Sequence, residues 1–408
     1  MSKVDSVAEM KYDFTTIWDR AGKDAMAVDA IEKFPMFQPD DGFDSIPMWV
    51  ADMNFATAPS IVAEVQKRLE HPLFGYFITS DDYYDAIIHW QEERNGVVGL
   101  EKEHIGYENG VLGGVMSALG AACCQGDAVL VHSPTYIGFS GSIKNAGYKL
   151  ITSPLKPDRL GIPRMDFFDM ETKIKKNDIR AVVFCSPHNP IGRVWEREEL
   201  EQFMDMCRRY ELTVISDEIW SDIILKGHKH IPLQSISEDA RNRTVGLYAP
   251  SKTFNLAGLI GSYHIIYNEF LHRKVKKQAS LAHYNSMNVL SMHALIGAYS
   301  SEGAEWVDEL RQVITENVKY ACKFIRKELP GVSVQQPEGT YMLFLDCEEY
   351  CESHHRELED VKMAGYKCGV VWQDGRQFFG ASHLRMNLAL PKERVVEAMN
   401  RLRDYVFV

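Results

Sequence analysis

RAVVFCSPHNPIGRVWEREELEQFMDMCRRYELTVISD, residues 180–217, is the stretch on which the fold turns. It opens with an apolar run, "RAVVFCS" (180–186), that ends in a proline-rich turn. "EREELEQFMDMCRRYE" (196–211) follows, with Leu200, Phe203, Met204 and Cys207 three and four apart, the spacing of one helix face. A second apolar run, "LTVISD" (212–217), closes the unit. Two short apolar strands joined by an amphipathic helix read as a parallel pair, because a parallel return needs a crossover of about a dozen residues or more.

Outward from this unit the pattern repeats. "DAVLVH" (127–132), "YKLITS" (148–153), "TVGLYA" (244–249) and "GSYHIIY" (261–267) are further strand candidates. Strands alternating with helices predict an α/β fold, a mostly parallel sheet covered by helices, with its core over 105–270. From 303 on the pattern changes: a long helix "EWVDELRQVITENVKYACKFIRKEL", a strand-like "YMLFLDC" and a closing helix "KERVVEAMNRLRDYVF" predict a smaller α+β unit. The reading divides the chain into an N-terminal arm sharing in the small unit (1–60), a large domain (61–300) and a C-terminal small domain (301–408). No Gly-, Ser- or Pro-rich linker separates the units, which predicts tight packing.

Composition narrows the function. The 408 residues suffice for two domains, and the net charge of −12 disfavours general binding to nucleic acid. No stretch approaches the roughly 18 apolar residues of a membrane span. The charged N-terminus lacks the apolar segment of a signal peptide. Eight cysteines without a C-x-x-C pair fit a reducing cytoplasm, not a disulfide framework or a zinc site.

In open α/β sheets ligands bind beyond the carboxyl ends of the strands. There the strands run into Asp217, into "PHNP" with Asn189, into "SPTY" with Tyr136, and into Pro250-Ser251-Lys252. "ENGVLGGV" (108–115) opens a helix of small residues beside them. Singly, these are turn and cap residues. Together they place an acid, an amide, an aromatic, a lysine and a helix N-terminus on one sheet edge.

The motifs in "IPMWVADMNFATAP" (46–59), "FGYF" (74–77), "CSPHNPIGRVW" (185–195), "SDEIWSDIIL" (216–225), "APSKTFNLAGL" (249–259), "PEGTYMLFLD" (337–346) and "LRMNLALP" (384–391) carry a resemblance over nearly the whole chain. The chain resembles the fold-type I pyridoxal-phosphate enzymes and, among them, the cystathionine β-lyase (MalY/PatB, cystalysin-like) group. The resemblance implies pyridoxal 5'-phosphate as cofactor and a homodimer with shared active sites. It implies that Lys252, shielded from water and so more easily deprotonated, binds the cofactor's aldehyde and then moves the substrate's α-proton. Asp217 is implied as partner of the ring nitrogen, Asn189 of the ring's 3-oxygen, and Tyr136 as a catalytic residue stacked on the ring whose hydroxyl reaches the 3-oxygen or the lysine. Backbone N–H groups of Gly110, Val111 and Leu112, with the Ser251 hydroxyl, are implied for the phosphate. Tyr76 would reach that phosphate from the neighbouring subunit. Arg385 would grip the substrate's α-carboxylate.

The chain departs from the family pattern in places. Ile260 stands where aspartate aminotransferases carry a phosphate-binding arginine. Trp220 replaces a histidine, and Asn54 stands where the lyases have an acid. The segment "DGRQFFGASHLR" (374–385) is shorter and poorer in glycine than its counterpart. No Walker A, H-E-x-x-H or G-x-S-x-G motif is present. "HKH" (228–230) and "HH" (354–355) read as surface histidines rather than metal ligands. The implied reaction is carbon–sulfur β-elimination from cystathionine or a related cysteine S-conjugate. An α-amino-acid aminotransferase is the alternative, told apart by a keto acid in place of pyruvate and thiol. A non-catalytic protein on the same scaffold would carry a damaged cofactor set, whereas Lys252, Asp217, Asn189, Tyr136 and Arg385 are all present.

Overall fold

The computed structural model describes residues 10–281 and 285–408; the N-terminal stretch read for a targeting signal lies largely outside them. A seven-stranded sheet forms the large unit, from β1 (Ile105–Glu108), β2 (Ala128–Ser133), β3 (Lys149–Pro154), β4 (Ala181–Cys185), β5 (Thr213–Asp217), β6 (Thr244–Tyr248) and β7 (Ser262–Ile265), in the order β1-β7-β6-β5-β4-β2-β3. The strands from β3 through β6 are mutually parallel.

Strand β7 runs antiparallel to both its neighbours. Between β6 and β7 the chain folds into two short helical turns, Pro250–Thr253 and Ala257–Leu259, at one edge of the sheet and never crosses its face, so it can only return antiparallel. Strand β1 carries too few apolar residues in "IGYE" to announce itself in the sequence, but seven strands from this part of the chain still give a mostly parallel sheet.

Side chains alternate across the sheet. Val129, Val131, Ala181, Val183 and Cys185 face a core that includes Val115, Ala118 and Leu119 of the helix Val111–Ala122. Leu130, Val182, Phe184 and Val214 face the other, with Leu200, Phe203 and Met204 of the helix Arg197–Arg209. Phe184 stacks on Phe203 with ring centroids 4.6 Å apart. Full burial of such a ring is worth about 1.5–3 kcal/mol. Arg197–Arg209 begins with a capping box of Glu196 and Glu199 and ends in Arg208 and Arg209, charges that suit the helix dipole at both ends.

The C-terminal unit packs the 28-residue helix Ser301–Glu328 and the helix Lys392–Tyr405 against a four-stranded sheet that contains Met342–Asp346 and His383–Asn387. Ile46–Pro47 pairs in parallel with Val370–Val371. Beyond this pair, the segment 49–53 passes between the units and is clamped from both sides. Asn255 accepts from the Met53 N–H and donates to its carbonyl, both at 3.0 Å. From the other unit, the Asn387 amide donates to the carbonyls of Val50 and Asp52.

Candidate active site

A cavity of about 220 Å³ opens at the carboxyl edge of the sheet, with Ala51 of the segment 49–53 in its lining. Gly110, Val111 and Leu112 line it at the start of the helix Val111–Ala122. Gly110 has φ +77°, a conformation that glycine adopts without strain, and it turns the chain from β1 into that helix. Gly114, one turn on, lets the helix lie close to the sheet: a Cβ there would come within 2.6 Å of Leu247. Tyr136, Asn189, Asp217, Ser251 and Lys252 complete the set of sequence-predicted residues that share this cavity.

Lys252 sits in the one-turn helix Pro250–Thr253 and donates to the Ala51 carbonyl at 2.8 Å. Burial and the nearby Arg385 guanidinium push its ammonium down to about 8, against the pull of Asp52 and Asp217. Asp217 ends β5, buried, with one carboxylate oxygen accepting from the Ile219 N–H at 3.1 Å. Burial pushes its carboxyl up to about 7, held back by that N–H and by Lys252. A buried acid and a half-buried amine thus share one cavity, each poised near neutral pH. Burial also raises the Tyr136 hydroxyl.

Arg385 does not line the cavity; it lies behind Asn189, which does. It is 3 % exposed and packs over the Phe378 ring, 4.5 Å from the centroid. Its guanidinium donates to Asn189 Oδ1 and the Trp49 carbonyl, each at 3.2 Å, and to Gln373 Oε1. Its buried Nε has no partner among the described residues. A buried guanidinium without a carboxylate partner carries an unmet demand for an anion. Tyr76 stands fully exposed on the surface, away from the cavity of its own chain.

Several contributors were not foreseen. The Ala51 carbonyl holds Lys252 and also accepts from the Tyr341 hydroxyl at 3.2 Å. A backbone acceptor leaves no signature in residue type. Gln373 meets Arg385 because the two are register partners in the small sheet. The departures lie near the site: Trp220 is a cavity wall, 5.8 Å from Lys252 Nζ and edge-on to Tyr341, and Ile260 lines the cavity at φ +48°, a strained backbone for a β-branched residue. Asn54 lies farther out and accepts from Arg20 at 3.0 Å. The surface assignment fails for His230. It is buried, 2.7 Å from Glu218, which also accepts from Tyr248 and Ser216, because a second acid directly after β5 needs internal partners.

The model of the family "Aminotransferase class I and II" matches residues 46–402. Cystathionine beta-lyase PatB of Bacillus subtilis is 33% identical over 389 residues, covering 95% of each chain. The PLP-bound C-S lyase of Staphylococcus hominis superposes with a TM-score of 0.88 at 29% identity, covering 98% of this chain and 99% of that one. Cystalysin from Treponema denticola, whose crystal structure contains pyridoxal 5'-phosphate, gives 0.89 at 29% identity, covering 97% and 98%.

Proposed function

The chain belongs to the aminotransferase class I and II family, and from that premise we propose that it is a pyridoxal 5'-phosphate-dependent carbon–sulfur β-lyase. Its substrate is cystathionine or another cysteine S-conjugate, which with one water gives a thiol, pyruvate and ammonia. The observation that carries the reading is the desolvated Lys252 beside the buried Asp217 in one cavity, with Arg385 behind Asn189.

The donor set fits the cofactor. When bound, pyridoxal 5'-phosphate supplies an aldehyde that condenses with amines and a conjugated ring that accepts electrons from the substrate's α-carbon. Lys252 would hold the aldehyde carbon, its lowered proton affinity leaving about a tenth of the amine neutral near pH 7. Released, the same amine takes the proton from the substrate's α-carbon. Asp217 would face the ring nitrogen and keep it protonated. Asn189 gives its Oδ1 to Arg385, which leaves its amide N–H groups for the ring's 3-oxygen. Tyr136 would lie against the ring. The N–H groups of Gly110, Val111 and Leu112, with the Ser251 hydroxyl, would take the phosphate. Arg385, through its unpartnered Nε, would orient the substrate's carboxylate.

We place the functional units at 1–60, 61–300 and 301–408 and the enzyme in the cytoplasm. A homodimer is supported by the exposed apolar run Leu73, Phe74, Tyr76 and Ile78, which would carry Tyr76 to the phosphate of the partner subunit. No helix among the described residues is long and apolar enough to cross a membrane. Incubation with cystathionine should release pyruvate and thiol in equal amounts. A keto acid that keeps the sulfur would mean transamination, and no thiol from any S-conjugate would overturn the lyase reading.

A further inference from the structure

We propose that Asp222 is a positioning residue: its carboxylate grips the Thr253 hydroxyl and thereby fixes how the adjacent Lys252 is presented to the cavity. The inference rests on the reading of Lys252 as the cofactor-bearing lysine.

Asp222 is a buried acid that the chemistry above does not use. Both of its oxygens are engaged by donors: Oδ1 by Trp90 Nε1 at 3.0 Å and Oδ2 by Thr253 Oγ1 at 2.9 Å. The basic titratable side chains around it are Arg94, on the helix Asp81–Asn95 that also carries Trp90, Arg311 on the helix Ser301–Glu328, and His230. Placing a carboxylate there is costly unless its partners are specific.

The partner that matters is Thr253. The helix Pro250–Thr253 is a single turn and cannot hold its own orientation. Three tethers set it: Thr253 to Asp222, Thr57 Oγ1 to the Phe254 carbonyl at 2.7 Å, and the Asn255 pair with Met53. Successive helical residues project about 100° apart. Thr253 is fully buried while Lys252 faces the cavity, so the Thr253 hydroxyl is a peg that sets the rotation of the turn. Asp222 is tied to Asp217 by a tight turn, in which Ser221 N–H donates to the Glu218 carbonyl and Ile223 N–H to the Trp220 carbonyl, both at 3.0 Å. The Asp222–Thr253 bond is therefore a strut between the loop after β5, which presents Asp217, and the loop after β6, which presents Lys252. Burial dominates the proton affinity of each, and each also alters the other's, so their spacing tunes both.

The test compares Thr253→Val, Thr253→Ser and Trp90→Phe in the cofactor-loaded enzyme by pH titration of the cofactor's absorbance, steady-state kinetics and thermal melting. Thr253→Val should move the titration midpoint by about half a unit or more and lower kcat roughly tenfold, with KM within about twofold. Thr253→Ser should restore both. Trp90→Phe removes the other donor to the same carboxylate, so it should lower the melting temperature as Thr253→Val does but leave the midpoint in place. Asp222→Asn, read the same way, decides if the valine variant does not fold. Equal midpoint shifts in Thr253→Val and Trp90→Phe, or none in either, would overturn the strut. A parent enzyme whose cofactor absorbance is unchanged by loss of Lys252 would overturn the lysine assignment, and the strut with it.

Discussion

Replacing Lys252 with methionine should stabilise the cofactor-free protein while abolishing turnover. Burial lowers the lysine from its ordinary 10.5 to about 8. A gap of about 2.5 units, at about 1.36 kcal/mol each, puts the cost of the buried ammonium at about 3 kcal/mol. Methionine fills similar space without the charge but forfeits the hydrogen bond to Ala51, worth about 1 kcal/mol. The net gain is about 2 kcal/mol. An unfolding entropy of about 2.1 cal/mol/K per residue gives a 408-residue chain about 0.86 kcal/mol/K, so the melting temperature should rise by about 2 °C. The sign depends on pH. Below about pH 8 the lysine is charged in both folded and unfolded chains, and the folded state bears the whole cost; above about 10.5 it is neutral in both, and only the lost hydrogen bond remains. About pH 6 is the best point of comparison, since Asp217, pushed up to about 7, is then mostly neutral and loses no partner. The assay is thermal melting of parent and variant, stripped of cofactor, from about pH 6 to 10. A variant that melts at or below the parent at the acid end, with a difference independent of pH, would refute the argument.

Arg385→Ala should raise KM and lower kcat/KM roughly 10- to 150-fold, the loss of a charge-assisted contact of about 1.5–3 kcal/mol, read by steady-state kinetics. Asp217→Asn removes an acid whose raised proton affinity costs stability progressively as pH rises from about 4 and in full above about 7, so the stripped variant should out-melt the parent there while its turnover falls. Gly114→Val would drive a side chain into Leu247, and such overpacking costs about 1–3 kcal/mol; the melting temperature should drop by about 1–3 °C, and cofactor should dissociate faster as the helix start shifts.

The strands that carry the chemistry were legible because continuous apolar runs and strand-end residues are local signals. Asp217, Asn189 and Lys252 follow directly from where β5, β4 and β6 stop. What the sequence hid is long-range. The direction of β7 depends on a loop that stays at one edge of the sheet. Ala51 acts through its carbonyl, so no residue type betrays it. Asp222, His230 and Gln373 are ordinary polar residues until the fold buries them beside Thr253, Glu218 and Arg385. Tyr76 is exposed on the surface, and its assigned role needs a second subunit that a single chain does not contain.

The double clamp on residues 49–53 has a consequence for the order in which the molecule comes together. Its partners lie 202 residues along the chain at Asn255 and 335 at Asn387. Closing the longer span costs about 3 kcal/mol more than closing a ten-residue loop, and such distant pairings form slowly. During synthesis, Asn387 emerges only after every strand of the central sheet. Until then the carbonyls of Val50 and Asp52, on either side of Ala51, lack their Asn387 donor. Competence to hold Lys252 in place thus waits on a residue made well after the sheet that carries the lysine.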